Sequence, residues 1–294
     1  MFQRLTRTWL LAGCLLGGTL PALPAQAQAL LPLIPTLRPE QLEARGLEIA
    51  REVALLSEVQ ALNLPQALAT AQLATQLAPQ RYETWAILGQ LYLRNNNLDG
   101  AVAALDRSHK LAPDNANVLF ALGSVTLRQE NYPAAQKYLE AALVLKPDNI
   151  EGLFNLGNTY FRLGRLPEAT AQYEKALRQD GKFWPAINNI GLVEYEQGNN
   201  RNAQERWRAS LAIDQQAAEP MLALAVALYA QGQSQAGLRL ATDALRIDRR
   251  YAQVPFLEEN LWGPRLIADY KRLATEPALR PFLDTETTAG RPAP

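Results

Sequence analysis

Gly89, Gly123, Gly157 and Gly191 stand at equal intervals along the chain, and Ala225 occupies the next place in the series. Their neighbours repeat with them. An aliphatic residue precedes each (Leu88, Leu122, Leu156, Ile190, Leu224), and a second small residue follows twelve positions on (Ala101, Ala135, Ala169, Ala203, Gly237). Four positions further come Leu105, Leu139, Tyr173, Trp207 and Ala241. A fixed period of about 34 residues constrains the fold more than any other feature: one unit cannot bury its own apolar face, so units must stack. Each unit reads as two antiparallel helices, A then B. A glycine inside a helix costs about 1 kcal/mol against alanine, which is tolerable where another helix must pass. The pattern predicts that the first small position packs on the second. In the fifth unit one methyl has changed sides, with Ala225 for glycine and Gly237 for alanine, as a close-packed contact requires.

Helix ends are written in as well. Pro113 and Pro147 close helix B, because proline disfavours helix in the residue before it. Asp114-Asn115 and Asp148-Asn149 follow, and either residue type can cap the next helix A. Gly164, Gly198 and Gly232 fall at the A-to-B turn, where a left-handed cap wants glycine, and Asn96 tolerates that conformation. Glu130 has no place in this scheme. The units run 82–115, 116–149, 150–183, 184–217 and 218–251. Before them, Ala67, Ala74 and Pro79 are in phase with a helix B. Leu42, Ile49, Val53, Leu56, Val59 and Leu62 make residues 40–63 amphipathic, so 39–81 reads as a capping hairpin. After Tyr251, a short helix at 256–262, a Gly263-Pro264 break and a helix carrying Leu266, Ile267, Tyr270 and Leu273 make 252–283 a C-terminal cap. Residues 284–294 are polar with proline and glycine and read as disordered.

These positions resemble the tetratricopeptide repeat over residues 82–251. The resemblance implies an all-α, right-handed superhelix (an α-solenoid). It also implies that helix A lines a concave groove holding a partner polypeptide, through its second, fifth, ninth, twelfth and thirteenth residues. Carried over, these include Phe120, Leu127, Phe154, Asn158, Phe161, Asn188, Leu192, Tyr195, Leu222, Val226 and Tyr229. Arg94, Arg128 and Arg162 form a ladder near the ends of three helices A. They either meet the negative helix end or pair with a ligand's carboxylates. Asn155 and Asn189 form a second ladder; similar asparagines in the family hold an extended peptide backbone and are also commonplace in its consensus. The family's Lys/Asn/Arg clamp for chaperone tails is not matched, since Ala86, Gln90, Ala121, Glu151 and Asn155 stand at those phases. The layout also resembles membrane-associated tetratricopeptide proteins of oxygenic phototrophs. The likeness lies in an apolar N-terminal segment, five repeats and the tail Phe256-Leu-Glu-Glu-Asn-Leu-Trp-Gly263. It implies protochlorophyllide oxidoreductase or photosynthetic assembly machinery as partner.

Composition narrows the function. Charge is balanced, 29 basic against 29 acidic residues, with no basic run and no base-stacking motif, which argues against a nucleic-acid partner. The single histidine, His109, beside Ser108, reads as a packing residue and leaves little for triads or metal sites. No phosphate-binding loop is present, and no cofactor is expected. The expectation is a non-enzymatic adaptor or assembly factor. The rival is an enzyme or regulatory subunit with a site at the repeat–tail junction, where Glu258, Glu259 and Arg265 lie.

The stretch 1–27 reads as an export signal: Arg4 and Arg7, an apolar run from Thr8 to Leu20, and a small-x-small site at Ala25-Gln-Ala27. The run is shorter than the roughly 20 residues a bilayer needs. Cleavage after Ala27 is preferred over an uncleaved anchor reaching Leu31 and over lipidation of Cys14 in Leu11-Ala-Gly-Cys14. All three put the N-terminus at a membrane during biogenesis, so the protein is expected to be exported (periplasm or lumen) or associated with a thylakoid or plasma membrane. Prolines 32 and 35 make 28–38 an extended linker. Finally, Pro220 to Ala230 is apolar on every face. Such a helix is buried, so Leu222, Val226 and Tyr229 need a cover, either the 255–283 tail or a partner's helix.

Overall fold

A computed structural model describes residues 38–58 and 63–283. The readings for the N-terminal signal, Cys14, nearly all of the linker, Val59, Leu62 and residues 284–294 lie outside them. The all-α expectation holds, with no strand among the described residues. Helices α1 (Pro39–Glu58) and α2 (Leu64–Leu77) precede five hairpins. These are α3 (Tyr82–Arg94) with α4 (Leu98–Leu111), α5 (Ala116–Arg128) with α6 (Tyr132–Leu145), α7 (Ile150–Arg162) with α8 (Leu166–Gln179), α9 (Trp184–Glu196) with α10 (Asn200–Ile213), and α11 (Ala218–Ala230) with α12 (Ser234–Ile247). Each hairpin begins one sequence period after the hairpin before it, so the sequence period is the structural one.

Local chemistry sets the boundaries. Asn115 accepts from the N–H groups of Asn117 and Val118, and Asn149 from that of Gly152, which satisfies first-turn donors of α5 and α7. Every A-to-B turn contains one left-handed residue, with φ of 56° at Asn96, 60° at Glu130, 72° at Gly164, 88° at Gly198 and 85° at Gly232. The next residue's N–H then reaches back to close the helix, as Asn131 does to the Thr126 carbonyl at 2.9 Å. Glu130 therefore holds a glycine's position at a steric cost of about 1 kcal/mol. Glu130→Gly is expected to raise stability by about 0.5 kcal/mol, the strain relief being partly offset by unfolded-chain entropy. Chemical denaturation would show it, and a loss of stability would contradict the turn assignment.

The glycine contact differs from the expectation. A methyl at Gly123 would stand 2.5 Å from Leu139 Cγ, one at Gly157 2.4 Å from Tyr173 Cε1, and one at Gly191 2.6 Å from Trp207 Nε1. Each glycine thus makes room for the large residue of helix B, not chiefly for the small one. In the fifth unit the compensation for Ala225 is Ala241 in place of leucine, tyrosine or tryptophan, and both alanines are fully buried. Gly237 does meet the expectation for this unit: a methyl there would stand 2.7 Å from the Ala225 carbonyl oxygen, so the second small position lies against the first.

After α12 come a 3-10 turn (Arg249–Ala252), α13 (Val254–Glu259), α14 (Pro264–Leu273), a second 3-10 turn (Pro277–Leu279) and α15 (Arg280–Leu283). Helix α14 packs across α9 and α11. Leu257, Leu266, Tyr270, Leu273 and Leu279 join Leu222 and Val226 in one buried cluster. The chain's own segment is therefore the cover that the apolar helix A of the fifth unit requires. No helix among the described residues is long and apolar enough to cross a membrane.

Candidate functional site: the A-helix groove

Successive A helices touch along one side of the stack, α3 on α5, α5 on α7 and α9 on α11. In units four and five that side is occupied by the C-terminal segment. In units one to three it is open and holds two adjoining cavities. One, of about 310 Å3, is lined by Gln90, Leu93, Phe120, Ser124 and Asn155 among others. The other, of about 570 Å3, is lined by Leu127, Arg128, Asn155, Asn158 and Arg162, and closed at one end by Glu259 and Leu261. Asn155 belongs to both. Phe120 is half-buried and lies over the next helix, where Gly152 admits it; a methyl there would stand 2.2 Å from Phe120 Cε1. Phe154 packs edge-on to Phe183 at 5.3 Å and beside Tyr173 at 5.7 Å. It and Phe161 are half-buried against the core, and neither lines the two cavities.

The segment over units four and five is held by complementary helix ends. Arg162 Nη2 donates to the carbonyls of Glu258 at 2.7 Å and Glu259 at 2.9 Å, the C-terminal end of α13. One unit on, at the same phase, Glu196 accepts from the N–H groups of Arg265 and Leu266 in the first turn of α14, at 3.1 and 3.0 Å. A cation suits the negative end of a helix and a carboxylate the positive end. Gly263 is required beside it, since a methyl there would stand 2.2 Å from Glu196 Cδ. The Tyr195 hydroxyl donates to Asp269, the Tyr229 hydroxyl to Glu276, and the Trp262 indole to Glu219. Arg265 lies over the Tyr195 ring at 5.0 Å and donates to its carbonyl.

Several expected groove residues are thereby corrected. Leu192, Tyr195, Leu222, Val226, Asn188 and Asn189 are buried, and the half-buried Tyr229 is engaged with Glu276. The fold-back of residues 254–283 and the packing of neighbouring helices close them to a partner in this structure. In this structure the arginine ladder is engaged by backbone carbonyls and, at Arg128, by an asparagine side chain. Arg128 donates to the Leu93 carbonyl at 3.0 Å and to Asn96 Oδ1 at 2.8 Å, Arg94 to the Ser57 carbonyl at 3.4 Å, and Arg162 to α13. The asparagines form a polar chain. Asn155 donates to Ser124 Oγ, Asn188 donates to Asn189 Oδ1, and Asn158 Oδ1 accepts from both Asn189 and the Tyr173 hydroxyl. Of the chain, only Asn155, Asn158 and Ser124 line the open cavities.

Glu196 and Glu219 fall at groove phases of helix A, the thirteenth and the second, but sequence reasoning did not foresee that they hold the chain's own segment. The available signal for Glu196 was the break in the ladder, arginine at 94, 128 and 162 and then glutamate. At the repeat–tail junction, Glu258 and Glu259 are exposed and Arg265 is committed to the Tyr195 carbonyl and ring. His109 stands edge-on to the Tyr138 ring at 6.1 Å. Among the described residues no group of three or more His, Cys, Asp or Glu could hold a metal ion.

Fold and groove together define a helical-repeat scaffold of the protein-interaction class. A family model described as the cytochrome c-type biogenesis protein H TPR domain matches residues 40–182. Among solved structures, PilF of Pseudomonas aeruginosa is similar at 19% identity, over 75% of this chain and 97% of that one, with a TM-score of 0.58. MamA of Desulfovibrio magneticus matches at 18% identity over 57% and 96%, with a TM-score of 0.52. The Cut9–Hcn1 hetero-tetramer of the APC/C matches at 16% identity and a TM-score of 0.62, over 76% of this chain but only 44% of that one. At these identities the likeness is one of fold. No curated protein matches. The helical hairpins are similar to those of tetratricopeptide repeat proteins, and the family model covers residues 40–182.

Proposed function

We propose that the open A-helix face of units one to three holds a segment of a partner polypeptide, and that the protein is a non-enzymatic adaptor or assembly factor at or across a membrane. One observation carries the reading. The chain fills the A-helix face of units four and five with its own segment and leaves a continuous lining on the other three. That lining sets the apolar Leu93, Phe120 and Leu127 beside the amides of Gln90, Asn155 and Asn158, the mixture that protein-binding surfaces use. The apolar N-terminal run supports the membrane setting, and the description of the matched family model supports biogenesis as the kind of work.

Cross-linking and co-purification from native membranes test this. Protochlorophyllide oxidoreductase is one bait, drawn from the phototroph resemblance. Ser124→Arg, which fills the smaller cavity, and Leu127→Asp, at the larger, are each expected to lower partner capture at least tenfold, about 1.4 kcal/mol, with helical content retained. Capture at the wild-type level by both folded variants would remove the groove from the binding site.

A further inference from the structure

The B-helix side of the stack carries a cleft of its own, with no residue in common with the two A-helix cavities. It lies between α6 and α8, holds about 590 Å3, and has Leu153, Leu156 and Tyr160 of α7 as its floor. All three floor residues are buried. Val144, on the α6 wall, is 82% exposed, the highest value among the large apolar residues described, and Leu145 beside it is 45% exposed. The repeat does not ask for this. The same phase of the other B helices holds Lys110, Arg178, Ala212 and Arg246. A cation there suits the negative end of the helix, and α6 gives that up for an aliphatic side chain in water. A single exposed valine is ordinary. This one borders an apolar floor in a cleft of the size that binding sites take.

The opposite wall is cationic. Lys175 and Arg178 of α8 line it, and neither side chain has a hydrogen bond or an ion pair among the described residues. The two carboxylates of the cleft are engaged elsewhere. Glu140 accepts from the Tyr160 hydroxyl at 2.7 Å and from Gln136 at 2.8 Å, and Asp148 accepts from Gln179 at 3.1 Å.

We propose that this cleft is a second docking surface, and that its occupant is a segment of a partner protein with a large apolar side chain for the floor and Asp or Glu beside it for Lys175 and Arg178. The inference does not depend on what the A-helix groove binds. Covering the floor and Val144 supplies affinity through the apolar area removed from water. The two unpaired cations select a segment bearing carboxylates over a neutral or basic one.

A library of displayed random peptides about twelve residues long, roughly three helical turns, selected on the full chain, tests this. Val144→Lys restores the cation of neighbouring units, and Lys175→Glu with Arg178→Glu reverses the opposite wall. All three positions are exposed, so helical content should be unchanged. Selection should yield peptides that set Leu, Ile, Phe or Trp next to Asp or Glu. Measured singly by fluorescence anisotropy, their affinity should fall at least tenfold in both altered proteins, about 1.4 kcal/mol, and should hold in Ser124→Arg. Peptides held by the A-helix groove should show the reverse pattern, so the two sites are read separately. The proposal is overturned if no selected peptide is sensitive to Val144→Lys. It is overturned equally if the sensitive peptides lack carboxylates or bind the charge-reversed protein as well. A chain whose self-association in sedimentation is abolished by Val144→Lys, with no peptide held at the cleft, would assign the cleft to a second copy and overturn it too.

Discussion

Replacing Leu222 with aspartate should lower stability by more than about 4 kcal/mol and leave units four and five unable to hold the C-terminal segment. Leu222 is fully buried among Leu192, Tyr195, Leu257, Trp262 and Leu266. Losing an apolar side chain of this size costs about 2–3 kcal/mol. The new carboxylate adds a further penalty of several kcal/mol, because no cation pairs with it in that cluster. It also stands one helical turn from Glu219, which already disfavours charge there. Contacts in a solenoid run between neighbours, so the loss should be graded: urea unfolding should split, with units four and five melting first. Ile213→Asp, at a position 40% exposed, is the control and should change stability by no more than about 0.5 kcal/mol. A Leu222→Asp protein with wild-type stability would mean that the segment does not cover this helix.

Trp262→Ala should release the segment itself. The indole is 3% exposed, stands edge-on to Tyr270 at 6.1 Å and donates to Glu219. Removing a buried tryptophan costs about 3–5 kcal/mol. Here the loss falls on one short stretch of chain and its seat, so it should appear as local opening. Hydrogen exchange should rise over 254–283 and along α11, with α3 to α6 unchanged. The exposed Leu222 and Val226 then form an apolar patch, and concentration-dependent self-association is expected with it. Unchanged exchange in the segment would refute the anchoring role of Trp262.

Much of the fold was legible because each unit repeats the same local code. The asparagine caps, the left-handed turn and the pairing of glycine with a bulky partner recur from unit to unit, and one error in one unit is corrected by the others. Glu130 shows the limit of that code. Nothing at position 130 marks a turn, yet five units in one register force its backbone to φ 60°. The glycine contact shows another limit. Sequence spacing could not say whether Gly157 faces Ala169 or Tyr173, because both lie on one side of α8, and only the approach of the two helices selects the tyrosine.

The site was less legible than the scaffold. The family's groove positions on helix A were transferable as positions, but their exposure was not. Phe120, Leu127 and Asn158 line open cavities, whereas Leu222, Tyr195 and Leu192, at the respective equivalent phases, are sealed. The apolar run from Pro220 to Ala230 declared that a cover must exist without naming it.

By itself, then, the sequence determined the helices, their order and the register of the stack, because those follow from side-chain periodicity and capping within a few residues. Which half of the groove is closed was decided only in three dimensions. Arg162 meets the carbonyls of Glu258 and Glu259, and Glu196 meets the first turn of α14, across separations of 96, 97 and about 70 residues. The match of a side-chain charge to a distant helix end leaves no periodic trace, so it can be seen only once the chain has folded back on itself.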